Sequence, residues 1–175
     1  SNNYLGLTNH PKVKEAAQLA ISKYGTGCAG SRFLNGTLDI HVELEEKLAA
    51  LVGKERALVF STGFMVNQGT LSAMVGRNET IIVDRTDHAS IIDGVRLAKA
   101  QRFIYNHADM DHLESMLKDA QGADFRLIVT DGVFSMDGHL APLNDICDLA
   151  DRYQSMVLVD DSHATGFTGP TGRGT

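Results

Sequence analysis

Val157-Leu158-Val159-Asp160-Asp161-Ser162-His163-Ala164-Thr165-Gly166 places two carboxylates, a hydroxyl and an imidazole directly after three apolar residues. The apolar run reads as a buried strand, and the carboxyl end of such a strand is where open α/β sheets gather ligand chemistry. A poorly solvated acid there needs a cationic partner or a protonated ring nitrogen to stay ionised. Asp160 or Asp161 would suit the pyridinium nitrogen of pyridoxal phosphate. A helix N-cap or a metal site made by the same pair is the plainer reading, and this stretch alone leaves all three open.

Other polar residues recur at equivalent places. Ser61-Thr62-Gly63 follows the apolar run at 57–60 and opens a helical pattern, so free backbone N–H groups and a positive dipole end could seat an anion. Ordinary capping by Ser61 or Thr62 is the alternative. His88 follows Thr80-Ile81-Ile82-Val83 at a helix start, and Ser135 lies in the turn 131–138 after the apolar run 125–130. A lone His in such a place is more often structural. All of these residues could nevertheless line one rim, and that convergence points to an active site.

The elements that must position them alternate. Helices are predicted over 11–24, 39–52, from about 61 to 74, after His88 to about 98, over 110–120 and over 142–153. Strands are predicted over 57–60, 80–83, 102–105, 125–130 and 156–159. Helix and strand in turn, with connections long enough for right-handed crossovers, give an α/β fold with a mostly parallel sheet and helices on both faces. Asp39 is expected to cap the second helix and Gly53 to end it, with Glu43, Glu45 and Glu46 as its solvated face. Residues 25–37 hold four glycines without the Gly-Lys-Ser/Thr of a phosphate loop, so they suit either a surface loop or close backbone approach to a ligand. His107 and His112 are expected at the surface.

The bulk properties narrow the class. The 175 residues are 43% hydrophobic and 22% charged, a globular balance. A net charge of −6 without a Lys/Arg cluster argues against nucleic acid as a partner. Nothing resembles a membrane span or a signal segment. Cys28 and Cys147 lack metal-type spacing, so reduced thiols in a cytoplasmic protein are expected. The chain opens without Met and closes in Gly172-Arg173-Gly174-Thr175, which suggests a fragment.

At this point the residues resemble a known family, the α-oxoamine synthases, which are pyridoxal-phosphate enzymes of the aspartate-aminotransferase fold type. The matching stretches are Asn3-Tyr4-Leu5-Gly6, residues 25–37, residues 61–67, Asp87-His88-Ala89-Ser90, residues 131–138 and residues 160–166. The resemblance implies that residues 1–38 are an amino-terminal segment and glycine-rich loop. Residues 39–175 would be the major part of the cofactor-binding large domain, incomplete at both ends, with the small carboxyl-terminal domain absent.

The resemblance also implies roles. His88 would stack on the pyridine ring and meet the substrate's carboxylate, and Asp160 would pair with the ring nitrogen. His163 and Ser135 would hold the phenolic oxygen, and the backbone of Gly63 and Phe64 the phosphate, with Thr62 close by. His88, Asp160 and His163 form the implied catalytic set, with no metal. The implied substrates are an amino acid and an acyl-CoA, and the implied assembly is a homodimer. Residues 25–37 look most like the bacterial branch that joins L-serine to palmitoyl-CoA, giving 3-ketodihydrosphingosine in the first step of sphingolipid synthesis. Siblings that use glycine or alanine, and a non-catalytic subunit of the same fold, are the alternatives. A magnesium-dependent phosphotransfer domain on Asp160 and Asp161 is the rival from another class, and it leaves His88 without a role.

One departure bears on activity. The family's cofactor-linking lysine lies beyond the Asp160-Asp161-Ser162-His163 motif, and no lysine follows His163 here. Residues 1–175 alone are therefore expected to be inactive, and the parent protein an enzyme.

Overall fold

The apolar runs that end in aspartate become the strands of one parallel sheet. A computed structural model describes residues 2–175, which divide into two compact units, residues 2–59 and 60–175. Each is considered by itself.

The first unit holds α1 (Pro11–Tyr24) and α2 (Asp39–Val52). Pro11 sits in the first turn of α1, where its missing N–H costs nothing. Gly53 ends α2 in the left-handed conformation, φ 68°. The cap of α2 is Leu38, not Asp39. The Leu38 N–H donates to His41 Nδ1 at 3.0 Å, while Asp39 is already helical and accepts from the Ile40 N–H at 2.7 Å.

Glu45 is also not part of a solvated face. It takes both terminal nitrogens of the Arg32 guanidinium and the Val59 N–H. Arg32, and then the Val59 N–H, pull its carboxyl down to about 2. That bond explains a second difference. Residues 57–60 form no strand, because the Val59 N–H that a ladder would use is held by a carboxylate. In the glycine-rich segment, Gly36 is buried against the Gly30 carbonyl, where a side chain would overlap it. The loop thus closes on itself, with Arg32 anchoring it to α2.

The second unit begins with α3 (Gly63–Met74), β1 (Thr80–Asp84), α4 (Ala89–Leu97), β2 (Gln101–Tyr105) and α5 (Met110–Asp119). It continues with β3 (Arg126–Asp131), α6 (Leu143–Arg152) and β4 (Met156–Asp160). The strands lie in the order β2-β1-β3-β4, all parallel. Residues alternate across the sheet. Ile81, Val83, Leu127 and Val129 pack with Leu71 of α3 and with Ile91 and Val95 of α4. Ile82 and Ile128 face the opposite side, with Leu113 and Leu117 of α5 and Ile146 of α6. Covered on both faces, β1 and β3 are buried throughout, which is why they read as unbroken apolar runs. β4 is shorter of cover than the sequence suggests. It has β3 on one side only, and Val159 is 36% exposed.

Helices α3 and α4 approach closely at Gly94, where an added Cβ would lie 2.9 Å from both the Asn67 carbonyl oxygen and Leu71 Cδ1. Alanine ordinarily favours a helix over glycine by about 1 kcal/mol. Here a backbone oxygen cannot yield, so overpacking of about 1–3 kcal/mol wins. Gly94→Ala is expected to lower the denaturation midpoint of the protein, and a raised midpoint would show that the two helices are not in contact there.

Candidate active site

Register brings the strand ends level. Asp131 lies opposite Asp160 across β3 and β4, and Asp84 closes the neighbouring β1. The connections leaving this edge carry the polar residues singled out by sequence. Gly63, Phe64, His88, Asp160 and His163 line one open cleft. Ser90, Asp131 and Ser162 line it with them, and sequence reasoning assigned none of these three a role. Thr62 and Ser135 are placed differently. The Thr62 hydroxyl caps α3 by accepting from the Met65 N–H at 3.1 Å, and Ser135 is an exposed residue of the β3–α6 connection outside the cleft lining.

With Thr62 as cap, the N–H groups of Gly63 and Phe64 make no hydrogen bond to other described residues. Both residues line the cleft at the positive end of the α3 dipole. Opposite stands Asp160. Asn67 Nδ2 donates to its Oδ2 at 2.7 Å, and the Ser162 N–H and hydroxyl donate to its Oδ1 at 3.1 and 2.5 Å. Burial by itself would raise this carboxyl, but the bonds from Ser162 and Asn67 and the nearby His88 outweigh it and hold the group below the usual range. Asp160 is thus an ionised acid in a cleft lined mostly by polar residues.

The Asn67 amide makes a second bond, to Ser90 Oγ at 2.8 Å, and Ser90 Oγ lies 2.7 Å from His88 Nδ1. The His88 ring also caps α4, accepting from the Ser90 N–H at 3.2 Å. Behind the cleft the backbone is held by acids. The His88 N–H donates to Asp131 Oδ2 at 2.8 Å, and the Asp131 and Asp84 N–H groups donate to Asp87 at 3.0 Å each. Burial raises Asp131 to about 6 against the pull of the His88 N–H, with the Asp160 charge adding to the rise. Burial raises Asp87 to about 9, against its N–H partners and with help from Asp131 and Asp84.

His107 and His112 are half-buried rather than fully exposed, and both are hydrogen-bonded. His107 Nδ1 contacts the Asp84 carboxylate at 3.1 Å and its Nε2 faces His139 Nδ1 at 3.1 Å, while His112 Nδ1 accepts from the Asn106 N–H at 3.0 Å. Asp160 and Asp161 do not act as a pair either. Asp161 accepts from Thr165 and Thr175, away from the partners of Asp160. Among the described residues no three His, Cys, Asp or Glu side chains gather as a metal site, Cys28 and Cys147 are free and exposed, and no helix is long and apolar enough to cross a membrane.

Comparison with known proteins agrees with this architecture. Residues 1–174 match the family described as aminotransferase class I and II. The chain is 55% identical to a serine palmitoyltransferase of Sphingobacterium spiritivorum, over all of this chain and 44% of that protein. It is 52% identical to 8-amino-7-oxononanoate synthase 1 of Bacillus subtilis, over all of this chain and 45% of that protein. A solved serine palmitoyltransferase from S. paucimobilis, with bound PLP and myriocin, superposes with a TM-score of 0.96 at 41% identity, covering 99% of this chain and 45% of that one. The 8-amino-7-oxononanoate synthase of Francisella tularensis gives 0.83 at 30% identity, covering 99% of this chain and 47% of that one. The chain therefore belongs to the aminotransferase class I and II family and, within it, to the α-oxoamine synthases. It spans a little less than half the length of these relatives.

Proposed function

We propose that the complete protein is a pyridoxal-phosphate-dependent enzyme that condenses an amino acid with an acyl-CoA, losing carbon dioxide, and that residues 60–175 carry its cofactor cleft. One observation carries the reading. An ionised Asp160 and the uncommitted N–H groups of Gly63 and Phe64 stand on the same cleft as His88. These fit the two ends of pyridoxal phosphate, because helix-start N–H groups suit a phosphate dianion and a buried carboxylate suits a protonated ring nitrogen.

Bound there, the cofactor would supply an electron sink for the charge left when an amino acid loses its α-proton. Asp160 would keep the ring nitrogen's proton in place, and each pKa unit it adds is worth about 1.4 kcal/mol. Asn67 and Ser162 keep Asp160 charged for that task. His88 would cover one ring face and bind the substrate's carboxylate. His163 is assigned to the phenolic oxygen, and its place on the cleft supports this. Ser135 shares that assignment by resemblance, with no support from its exposed position. Thr62 would serve the phosphate by holding the start of α3.

L-serine with palmitoyl-CoA, giving 3-ketodihydrosphingosine, is the proposed reaction, supported by the higher structural likeness to serine palmitoyltransferases. Alanine with a pimeloyl thioester is the second reading, because the B. subtilis oxononanoate synthase is nearly as similar in sequence. A homodimer, a cofactor-linking lysine beyond Thr175 and an inactive isolated segment 1–175 belong to the same proposal.

Borohydride reduction and digestion of the complete protein is expected to yield a pyridoxyl-lysine peptide. The untreated holo-protein is expected to change absorbance with L-serine in preference to L-alanine or glycine. Absence of the peptide would overturn the cofactor assignment, and a response to L-alanine alone would favour the second reading.

A further inference from the structure

Asn67 and Ser90 are among the most buried polar residues of the second unit, at 4% and 1% exposure, yet neither contributes to its apolar core. Both of the Asn67 bonds that matter come from one nitrogen, to Asp160 Oδ2 and to Ser90 Oγ. A carboxylate can only accept, so the amide must present its NH2 to Asp160, and its second hydrogen is then directed to Ser90. Ser90 Oγ, already accepting from Asn67, turns its own hydrogen to His88 Nδ1 at 2.7 Å. The Ser90 N–H reaches the same nitrogen at 3.2 Å. His88 Nδ1 thus faces two donors and must present a lone pair.

We infer that Asn67 and Ser90 are positioning residues that fix the His88 imidazole as a single tautomer, protonated at Nε2, and so turn a hydrogen-bond donor toward the cleft. The chain Asp160–Asn67–Ser90–His88 couples the tautomer to Asp160, whose Oδ2 takes one amide hydrogen and so turns the other toward Ser90. The consequence for substrate rests on the function proposed above, in which an Nε2–H is the form able to donate to an amino acid's carboxylate. The tautomer itself is a property of this chain and does not need the cofactor.

The test uses the complete protein labelled with ¹⁵N-histidine, with and without pyridoxal phosphate, and His88→Gln to assign the His88 signals. The wild-type protein is expected to show Nδ1 as an unprotonated, pyridine-type nitrogen and Nε2 as a protonated, pyrrole-type one. Ser90→Ala removes one of the two donors and is expected to reduce the tautomer preference roughly tenfold, the worth of one hydrogen bond. Asn67→Ala is expected to move the signals the same way, and Ser90→Thr, which keeps the hydroxyl, to restore them. In turnover, Ser90→Ala is expected to raise KM for the amino acid roughly tenfold with a smaller change in kcat. A merely structural role would lower stability and leave the nitrogen shifts alone.

A proton on Nδ1 in the wild-type protein, or unchanged shifts in folded Ser90→Ala, would overturn the inference. Should Ser90→Ala fail to fold, the wild-type and Ser90→Thr spectra decide, with an Nδ1 proton in either counting against it. A wild-type protein that shows the Nε2–H form but takes up no pyridoxal phosphate would overturn the proposed function and leave this inference standing.

Discussion

Asp160→Asn in the complete protein is expected to cut ketone formation by at least ~10²-fold, the usual loss when one preorganised electrostatic partner is removed. Asparagine keeps the size of the side chain and loses the charge that would hold a proton on the ring nitrogen. It also misfits locally. Asn67 and Ser162 approach the carboxylate from both oxygens, and one of them must then face an NH2, at a cost of about 1–3 kcal/mol for the unmet donor. Rate measurements with equal cofactor loading separate the two effects. Activity retained within a small factor would sink the role given to Asp160. The pH dependence adds a check of sign. The folded carboxyl lies below its usual range, so the stability it contributes is present above the unfolded pKa and is lost as pH falls through the folded one.

Asp87 has the opposite sign. Its folded pKa is raised to about 9 and that of Asp131 to about 6, in both cases first by burial. The folded state therefore holds protons that the unfolded state has released. Stability from these groups is full below the unfolded carboxylate range and is eroded as pH rises, through about 6 for Asp131 and on to about 9 for Asp87. Between those two values Asp87 acts alone, and a single retained proton gives a slope of about −1.4 kcal/mol per pH unit. Urea unfolding of the complete protein across that interval is expected to show this decline. Asp87→Asn, which cannot ionise, is expected to flatten it while losing one of the acceptors for the Asp84 and Asp131 N–H groups. A flat profile in the wild-type protein would mean that Asp87 is ionised in the folded state, held so by those two N–H bonds.

The strands and helices of the second unit were legible because each apolar run has a single job. Ile81-Ile82-Val83 and Leu127-Ile128-Val129 are covered on both faces, and both end in the acids that mark the sheet edge. Residues 57–60 carry the same local signal without a ladder to join, and nothing in their composition reveals that Glu45 takes the Val59 N–H. The apolar run before Asp160 likewise says nothing of whether a further strand lies beside it, so the exposure of β4 was unreadable. His88, Asp160 and His163 could be placed at one rim because each follows a strand. Asn67 and Ser90 could not, since their importance lies in bonds across 93 and 23 residues of chain, and a buried Asn in a helix looks like any other. The spacing did hold two faint signals. Asn67 lies one helical turn beyond Gly63, and Ser90 lies two residues after a capping His88.

The parallel order β2-β1-β3-β4 also sets when the site can exist. β1 must wait for β3 to be paired on its second side, and Asp160 reaches Asn67 only after β4 has added to β3. Pairings of such long sequence separation form late, after their loop-closure entropy has been met. The Asp160 carboxylate is therefore delivered to the cleft by β4, the latest in chain order of the four strands described. A ribosome-bound chain that has not yet released residue 160 has α3, His88 and Asp131 but lacks the carboxylate that Asn67 and Ser162 hold. Uptake of a cationic ring by this cleft would therefore report that β4 has docked on β3.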